Sequence, residues 1–179
     1  MGMFNAASLS RTIDVINDNI CKLVSWFTLF MALITLLIVI LRYGFDIGWI
    51  AMQESVMYLH ACVFLLGSAH TLRVNDHVRV DIFYSRFDTV KKAKIDTFGT
   101  LFFMLPVNLF IFIICWDYVA SSWNIMEDSQ AAGGLPAVFL LKTFILLFAA
   151  LMVLQGISEL IRNISVCLNH PKNVITEDK

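Results

Sequence analysis

The sequence has few charged residues, few cysteines and few prolines. Only 15% of its 179 residues are charged, whereas 59% are hydrophobic and the mean hydropathy is +0.76. A soluble domain of this length has too much surface for so little charge. The four cysteines are widely scattered without ligand-like spacing, so we expect no disulfide. No basic patch is interleaved with aromatic residues, which argues against nucleic acid as a partner.

What the sequence does have is long apolar runs, each able to cross a bilayer as a helix. These runs cover residues 23–41, 49–72, 97–116 and 135–158, and a basic loop at 73–96 joins the middle two. They predict an all-α integral membrane protein with four transmembrane helices in a single membrane domain, 1–179. The first run has no cleavage site of the signal-peptide type after it, so we expect it to be retained.

Two further segments have the pattern of interfacial helices. Isoleucines at helical spacing follow Ser8 and Ser10, and either serine is a suitable cap for a helix that runs into the first span. Residues 85–96 are basic and amphipathic and are expected to lead into the third span. Pro136, just after two glycines, is expected in the first turn of the fourth span.

The basic residues are unevenly distributed along the chain. Eleven of the 13 lysines and arginines lie in the two tails and in the loop 73–96, and the other two are Arg42 and Lys142. The positive-inside rule therefore predicts that both termini and this loop are cytoplasmic. An even number of spans gives the same result for the termini.

The second span carries a line of polar and small residues within its apolar sequence. Gln53, His60 and Gly67 are seven residues apart and lie on nearly one line of a helix, with Glu54 on the neighbouring line. In lipid such a line turns towards protein, because small residues allow close helix contact and polar groups need partners. That protein is either the chain's own bundle or another membrane subunit, and a ligand pathway is a third alternative.

Charged residues near the predicted outer boundary suggest two contacts. Arg42 and Glu54 flank the short turn between the first two spans, and we expect them to form an ion pair. Lys142 lies inside the fourth span and either extends to the outer interface or pairs with an acidic group of the chain or of a partner protein. Acidic candidates on the chain are Asp117, Glu127 and Asp128.

The histidines raise the alternative of a redox protein, such as a membrane anchor or cytochrome-like subunit. Membrane cytochromes hold haem between histidines on facing helices, whereas His60 and His70 share one predicted helix. We therefore predict no metal site, no cofactor and no catalytic residues, and we do not expect an enzyme.

The H-V-R-V-D string at residues 77–81 follows the second span. Here the chain leaves the bilayer and alternates polar with apolar residues. His77 and Asp81 share a face whether the segment is helical or extended. We predict an architectural role for both residues, in setting the angle between the second and third spans.

These motifs, taken in order, resemble one family. Arg42-Tyr43, Gln53-Glu54, Gly67 and H-V-R-V-D look like the small membrane subunit of TRAP transporters, the tripartite ATP-independent periplasmic transporters, often called DctQ-like. The resemblance covers essentially the whole chain and includes the layout of four spans. Many members read W-x-E-E where this chain has Met52-Gln53-Glu54.

The resemblance implies a partner in the bilayer and another outside it. A periplasmic solute-binding protein delivers a solute such as an organic acid, and a large membrane subunit moves it inward, driven by a cation gradient. The small subunit supports the large one in the bacterial inner membrane and binds neither ion nor substrate. On this reading the site candidates in the sequence are structural or interfacial: Arg42, Gln53, Glu54, His60, Gly67, His77, Asp81 and Lys142.

Overall fold

The computed structural model describes residues 2–76, 84 and 86–169, and all regular structure in these residues is helical. Its helices are α1 (Gly2–Phe45), α2 (Ile50–Arg73), α3 (Thr89–Gly99), α4 (Leu105–Asn124) and α5 (Val138–Asn169), with a π-helical turn (Thr100–Met104) that joins α3 to α4. Counting α3 to α4 as one continuous stretch, the described residues contain four helical segments that are long and apolar enough to cross a membrane. The predicted all-α, four-span architecture is confirmed.

Helix α1 is one continuous element of 44 residues. At 1.5 Å per residue it is about 66 Å long, roughly twice the thickness of the hydrocarbon core. The expected caps are wrong, because Ser8 and Ser10 both lie inside this helix rather than at its start. The apolar sequence from residue 23 onward therefore continues from an N-terminal extension without a break in the helix.

The third span contains a widened turn that a proline explains. Pro106, close to the start of α4, lacks an amide hydrogen, and its ring would clash with the carbonyl group four residues earlier in a regular helix. The π-helical turn immediately before α4 relieves that clash by spreading the backbone. Asn108 then donates a hydrogen bond from Nδ2 to the carbonyl oxygen of Met104, at 2.8 Å.

Helix α5 starts three residues later than the predicted fourth span, which begins at residue 135. Pro136 precedes Val138, the first residue of the helix, instead of lying in the first turn. Gly133 before it has a φ of +80°, a left-handed conformation that favours glycine. The amide of Val138 donates to the carbonyl oxygen of Glu127 at 3.1 Å, which closes the loop between α4 and α5.

Helix α5 is the centre of the bundle and packs against all the other helices. Helices α1 and α2 pack together on one side of it, and the continuous α3–α4 stretch packs on another. Ala69 and Ala149 are completely buried, which fits close contact between helices in a membrane protein. An apolar cluster of buried residues contains Ala69, Leu151 and Met152, with Ile20, Leu66, Leu72, Met104 and Phe148 around it.

The two ends of the bundle are formed by different segments of the chain. The terminal end holds the start of α1 and the end of α5, and the hairpin end holds the loops 46–49 and 125–137. In the most apolar 18-residue stretch of each span, no more than 17% of the residues are buried within the chain. Most of the surface of the spans is therefore left for lipid or for other proteins to cover.

Candidate functional site: two polar clusters and an open groove

A buried polar cluster joins α1 to α5 at the terminal end. Asn17 Nδ2 donates to Gln155 Oε1 at 2.7 Å, and Gln155 Nε2 donates to Asp14 Oδ1 at 3.1 Å. Asn17 is 1% exposed and Gln155 is completely buried. Hydrogen bonds between such groups offset the cost of removing them from water, so the pair fixes how α1 and α5 pack.

The same cluster extends towards the ends of the chain through hydroxyl and guanidinium groups. Ser158 Oγ donates to Asp14 Oδ1 at 2.9 Å, and the hydroxyl of Ser10 lies 2.7 Å from that of Ser158. Arg162 donates to Asp14 Oδ2 at 3.1 Å and also pairs with Glu159 on its own helix. Asp14 thus receives hydrogen bonds on both of its oxygens from α5.

Helix α2 is tied to α1 at this end by a separate group of charges. Asp18 Oδ1 lies 2.7 Å from His70 Nδ1 and 2.6 Å from a guanidinium nitrogen of Arg73. These three residues come from the last turn of α2 and the part of α1 that faces it. His70, one of the histidines considered above for haem, has a structural partner in the carboxylate of Asp18.

Sequence reasoning missed the buried polar cluster between α1 and α5, which we call the terminal-end cluster. It contains Ser10, Asp14, Asn17, Gln155 and Ser158. Within the predicted fourth span, 135–158, Lys142 is the one charged residue. At the start of α1 the isoleucines stand out, of which Ile13 is buried but Ile16 is 44% exposed. A signal was present, because Ser10, Asp14 and Asn17 recur at helical spacing. In a membrane bundle that polar line marks the packed face rather than the exposed one.

At the hairpin end, Glu54 of α2 binds the loop between α4 and α5. Ser129 Oγ donates to its Oε1 at 2.5 Å, and the amide of Leu135 donates to its Oε2 at 2.6 Å. A Cβ added to Gly134 would collide with the side chain of Ser129 and lie 2.7 Å from Glu54 Oε2. Because Gly134 has no side chain, the backbone of the G-G-L-P sequence at residues 133–136 can approach this carboxylate closely.

The expected ion pair between Arg42 and Glu54 is wrong. Both carboxylate oxygens of Glu54 bind the α4–α5 loop, whereas Arg42 lies exposed near the end of α1. A backbone amide and a hydroxyl group satisfy the carboxylate at fixed geometry, so it needs no arginine.

Lys142 pairs with an acidic group of its own chain instead of extending to the outer interface, and this is one of the alternatives that the sequence left open. Its ammonium group pairs with Glu127 and lies 4.0 Å from the centre of the Tyr118 ring. Glu127 Oε2 also accepts a hydrogen bond from Ser122 Oγ at 2.6 Å. These two donors, Lys142 first, hold the pKa of the Glu127 carboxyl below its usual value.

The polar and small line of α2 does not face the chain's own bundle. Gln53 and His60 are exposed, and the ring of His60 stacks on Phe64 of the same helix, with ring centres 6.2 Å apart. A Cβ added to Gly67 would meet no atom within 4 Å. Of the three alternatives for this line, packing within the bundle is thus not what the described residues show.

Gly67 opens into a groove between α1 and α2 with a volume of about 420 Å³. The groove is lined by small and apolar groups, namely Cys21, Val24, Ser25, Thr28, Val63, Phe64, Gly67, Ser68 and Thr71. The hydroxyls of Ser25 and Ser68 each donate to a carbonyl of their own helix at 2.6 Å. Because these donors are satisfied, an apolar helix or lipid chain can fill the groove without leaving them unpaired.

Two of the predicted residues, His77 and Asp81, lie outside the described residues, and their architectural role stays a prediction. Among the described histidines, cysteines and carboxylates, no group of three or more is placed to hold a metal ion.

Comparison with known proteins gives two findings. The model of the family "Tripartite ATP-independent periplasmic transporters, DctQ component" matches residues 31–166. A protein of Haemophilus influenzae (strain ATCC 51907 / DSM 11121 / KW20 / Rd) named "Putative TRAP transporter small permease protein" is 29% identical over 93 residues, 52% of this chain and 53% of the relative. The chain thus spans about half the length of the curated relative that it matches. No solved structure matches the chain.

Proposed function

Because the chain belongs to the DctQ family of TRAP transporter components, we propose that it is the small scaffold subunit of such a transporter. It supports a large membrane subunit during cation-driven uptake of a solute, an organic acid, delivered by a periplasmic solute-binding protein. It lies in the bacterial inner membrane with both termini in the cytoplasm, an orientation supported by the distribution of its basic residues.

The outward-facing line of α2 carries this proposal. Gln53, His60 and Gly67 extend over about 21 Å of a membrane helix on a side that the chain itself leaves open. Polar side chains exposed to hydrocarbon are costly, and a small residue beside a groove allows a second helix to approach closely. A transmembrane helix of the large subunit supplies both the polar partners and the apolar surface.

The internal contacts of the charged residues support a scaffold rather than a transport path. Glu54 and Lys142 bind groups at the hairpin end, and Asp14 and Asp18 bind groups at the terminal end. Each of these contacts joins two elements of the same chain. Such contacts rigidify the subunit, which suits a static support for a moving partner.

The test compares two glycines in the tagged chain, expressed in its host and purified in mild detergent. Gly67→Leu should reduce the amount of a large TRAP membrane subunit that co-purifies, while the isolated chain keeps its thermal stability, because Gly67 has open space around it. Gly156→Leu is the matched control. A Cβ there would lie 2.8 Å from Met104 Sδ, so overpacking should destabilise the isolated chain by about 1–3 kcal/mol.

If the chain purifies alone as a monodisperse species and Gly67→Leu changes nothing, the open line of α2 is not a subunit contact.

A second measurement, uptake by the reconstituted complex, distinguishes a scaffold role from a place on the transport path. When uptake is normalised to assembled complex, the Gly67→Leu variant should keep the solute preference and ion dependence of the unaltered transporter.

A further inference from the structure

A second groove lies between α3–α4 and the last turns of α5, with a volume of about 330 Å³. Its walls are apolar and largely exposed, since Phe98 is 55%, Phe102 59% and Leu168 60% exposed. The rings of Phe98 and Phe102 lie 4.7 Å apart and form one wall. Thr97, the polar uncharged residue of the lining, donates its hydroxyl to the carbonyl of Ala93 at 2.7 Å. The groove body thus suits a hydrocarbon chain.

One end of this groove is basic. Lys94 is part of the lining and is exposed, and Lys91, three residues earlier, shares its helix face. Lys92, by contrast, lies over the ring of Tyr84, 5.4 Å from its centre, and is not among the residues that line the groove. An apolar groove with positive charge at one end complements a molecule with an apolar chain and an anionic head.

The position of Lys94 along its helix matches the depth of lipid headgroups. It precedes Thr97, where the apolar run of the third span begins, by three residues or about 4.5 Å. At that depth a lysine keeps its methylene groups against apolar surface while the ammonium group reaches the phosphate layer. The groove then continues from Lys94 along Phe98, Leu101 and Phe102 into the hydrocarbon region.

From this geometry we propose that the groove is a binding site for an anionic phospholipid. An acyl chain lies along Phe98, Leu101 and Phe102 against the end of α5, and Lys94 with Lys91 binds the phosphate. The proposal is independent of the proposed function, because it uses only the groove, its charge and its depth in the bilayer.

The test is native mass spectrometry of the full chain with phosphatidylglycerol and with phosphatidylcholine of the same acyl chains. Phosphatidylglycerol should bind more tightly, and Lys94→Gln should weaken that binding roughly fivefold, the effect of one lysine near an anionic surface. Lys94→Arg should keep the preference. Lys92→Gln is the matched control and should change nothing, because Lys92 faces Tyr84.

Four results would overturn the proposal. Equal binding of the two lipids, or an unchanged affinity in Lys94→Gln, would remove the role of the charge. Effective competition by glycerol 1-phosphate, which has an anionic head but no acyl chain, would remove the role of the groove. Loss of the lipid preference on assembly with a large membrane subunit would assign the groove to that protein.

Leu168→Trp, which narrows the groove at an exposed position, should reduce binding of phosphatidylglycerol without altering the helical content of the chain.

Discussion

Helices α2 and α5 each carry a glutamine and a glycine within a long apolar sequence, and the two pairs have opposite surroundings. Gln155 is completely buried against α1, and Gly156 packs closely on Met104. Gln53 is exposed, and Gly67 has no atom near the position of a Cβ. Residue type within a span is therefore no guide to which protein the residue faces. The deciding feature is whether another helix of the same chain offers polar groups at the same level.

The largest expected effect tests this difference at the two glutamines. Gln155→Leu should lower the free energy of unfolding by about 1–3 kcal/mol, because Asn17 and Asp14 each lose a buried hydrogen-bond partner. Gln53→Leu should stay within about 0.5 kcal/mol of the unaltered chain, as expected for an exposed side chain. Titration with SDS, followed by circular dichroism of the purified chain in mixed micelles, measures both variants.

Equal losses in the two variants would erase the distinction between the helices. The reverse order would mean that the α2 line, rather than the terminal-end cluster, holds the isolated chain together. In the assembled transporter the order should change, because Gln53→Leu then removes a polar group from the proposed interface. Measuring complex yield beside the stability of the isolated chain therefore separates the two roles.

The spans themselves could be predicted from the sequence because hydrophobicity over twenty residues is a local property. The partners of polar residues could not, since they depend on which helices are neighbours. Lys142 shows the limit, because the sequence offers three acidic residues as its ion-pair partner and only the packing of the helices selects Glu127. Glu54 shows a stronger limit. Its partners include the backbone amide of Leu135, 81 positions away, and a backbone group leaves no mark in the side-chain pattern.

The terminal-end cluster was hidden for a different reason. The search for amphipathic helices assumes that the apolar face is buried, as it is in water. At the start of α1 the polar residues Asp14 and Asn17 face α5, and Ile16 is exposed. A search for polar residues at helical spacing in the predicted interfacial helix and in the fourth predicted span would have paired this line with Gln155 and Ser158.

The next effect in size concerns Glu54, a polar residue near the start of α2 that binds the α4–α5 loop. Glu54→Gln keeps the shape of the side chain but removes the charge that Ser129 and the amide of Leu135 bind. The loop 125–137 should exchange its amide hydrogens faster, Leu135 above all, while the spans keep their protection. Hydrogen exchange followed by mass spectrometry resolves the loop from the helices.

A second variant reaches the same contact without changing any charge. Gly134→Ala places a methyl group against Ser129 and beside Glu54 Oε2, so it should release the loop in the same way. Gln53→Ala, next to Glu54 but exposed, is the control and should leave exchange in the loop unchanged. Unaltered exchange in both Glu54→Gln and Gly134→Ala would show that the loop is held by other contacts.

A smaller effect is expected from pH at the hairpin end. Lys142 and then Ser122 hold the pKa of Glu127 below its usual value of 4.5, so the folded chain favours the ionised carboxyl. This contribution is present above about pH 4.5 and is lost as the pH falls through the lowered pKa. Lys142→Met removes the larger cause, so the pKa of Glu127 should rise towards its usual value. Titration of the Glu127 carboxyl by NMR in both chains measures the difference, and identical titration curves would contradict the contact.

The smallest effect is expected for the coupling in unfolding free energy between Arg42 and Glu54. Measuring it tests whether α1 and α2 share a charge contact at the hairpin end. Arg42 lies exposed, and Glu54 binds the α4–α5 loop with both oxygens. In a double-mutant cycle with Arg42→Ala and Glu54→Ala, the two changes in unfolding free energy should therefore add, because residues that do not touch are not coupled. A coupling energy well above the error of the measurement would show that Arg42 reaches the carboxylate in the membrane. Glu54 would then bridge α1 to the loop, and the hairpin end would be as tightly joined as the terminal end.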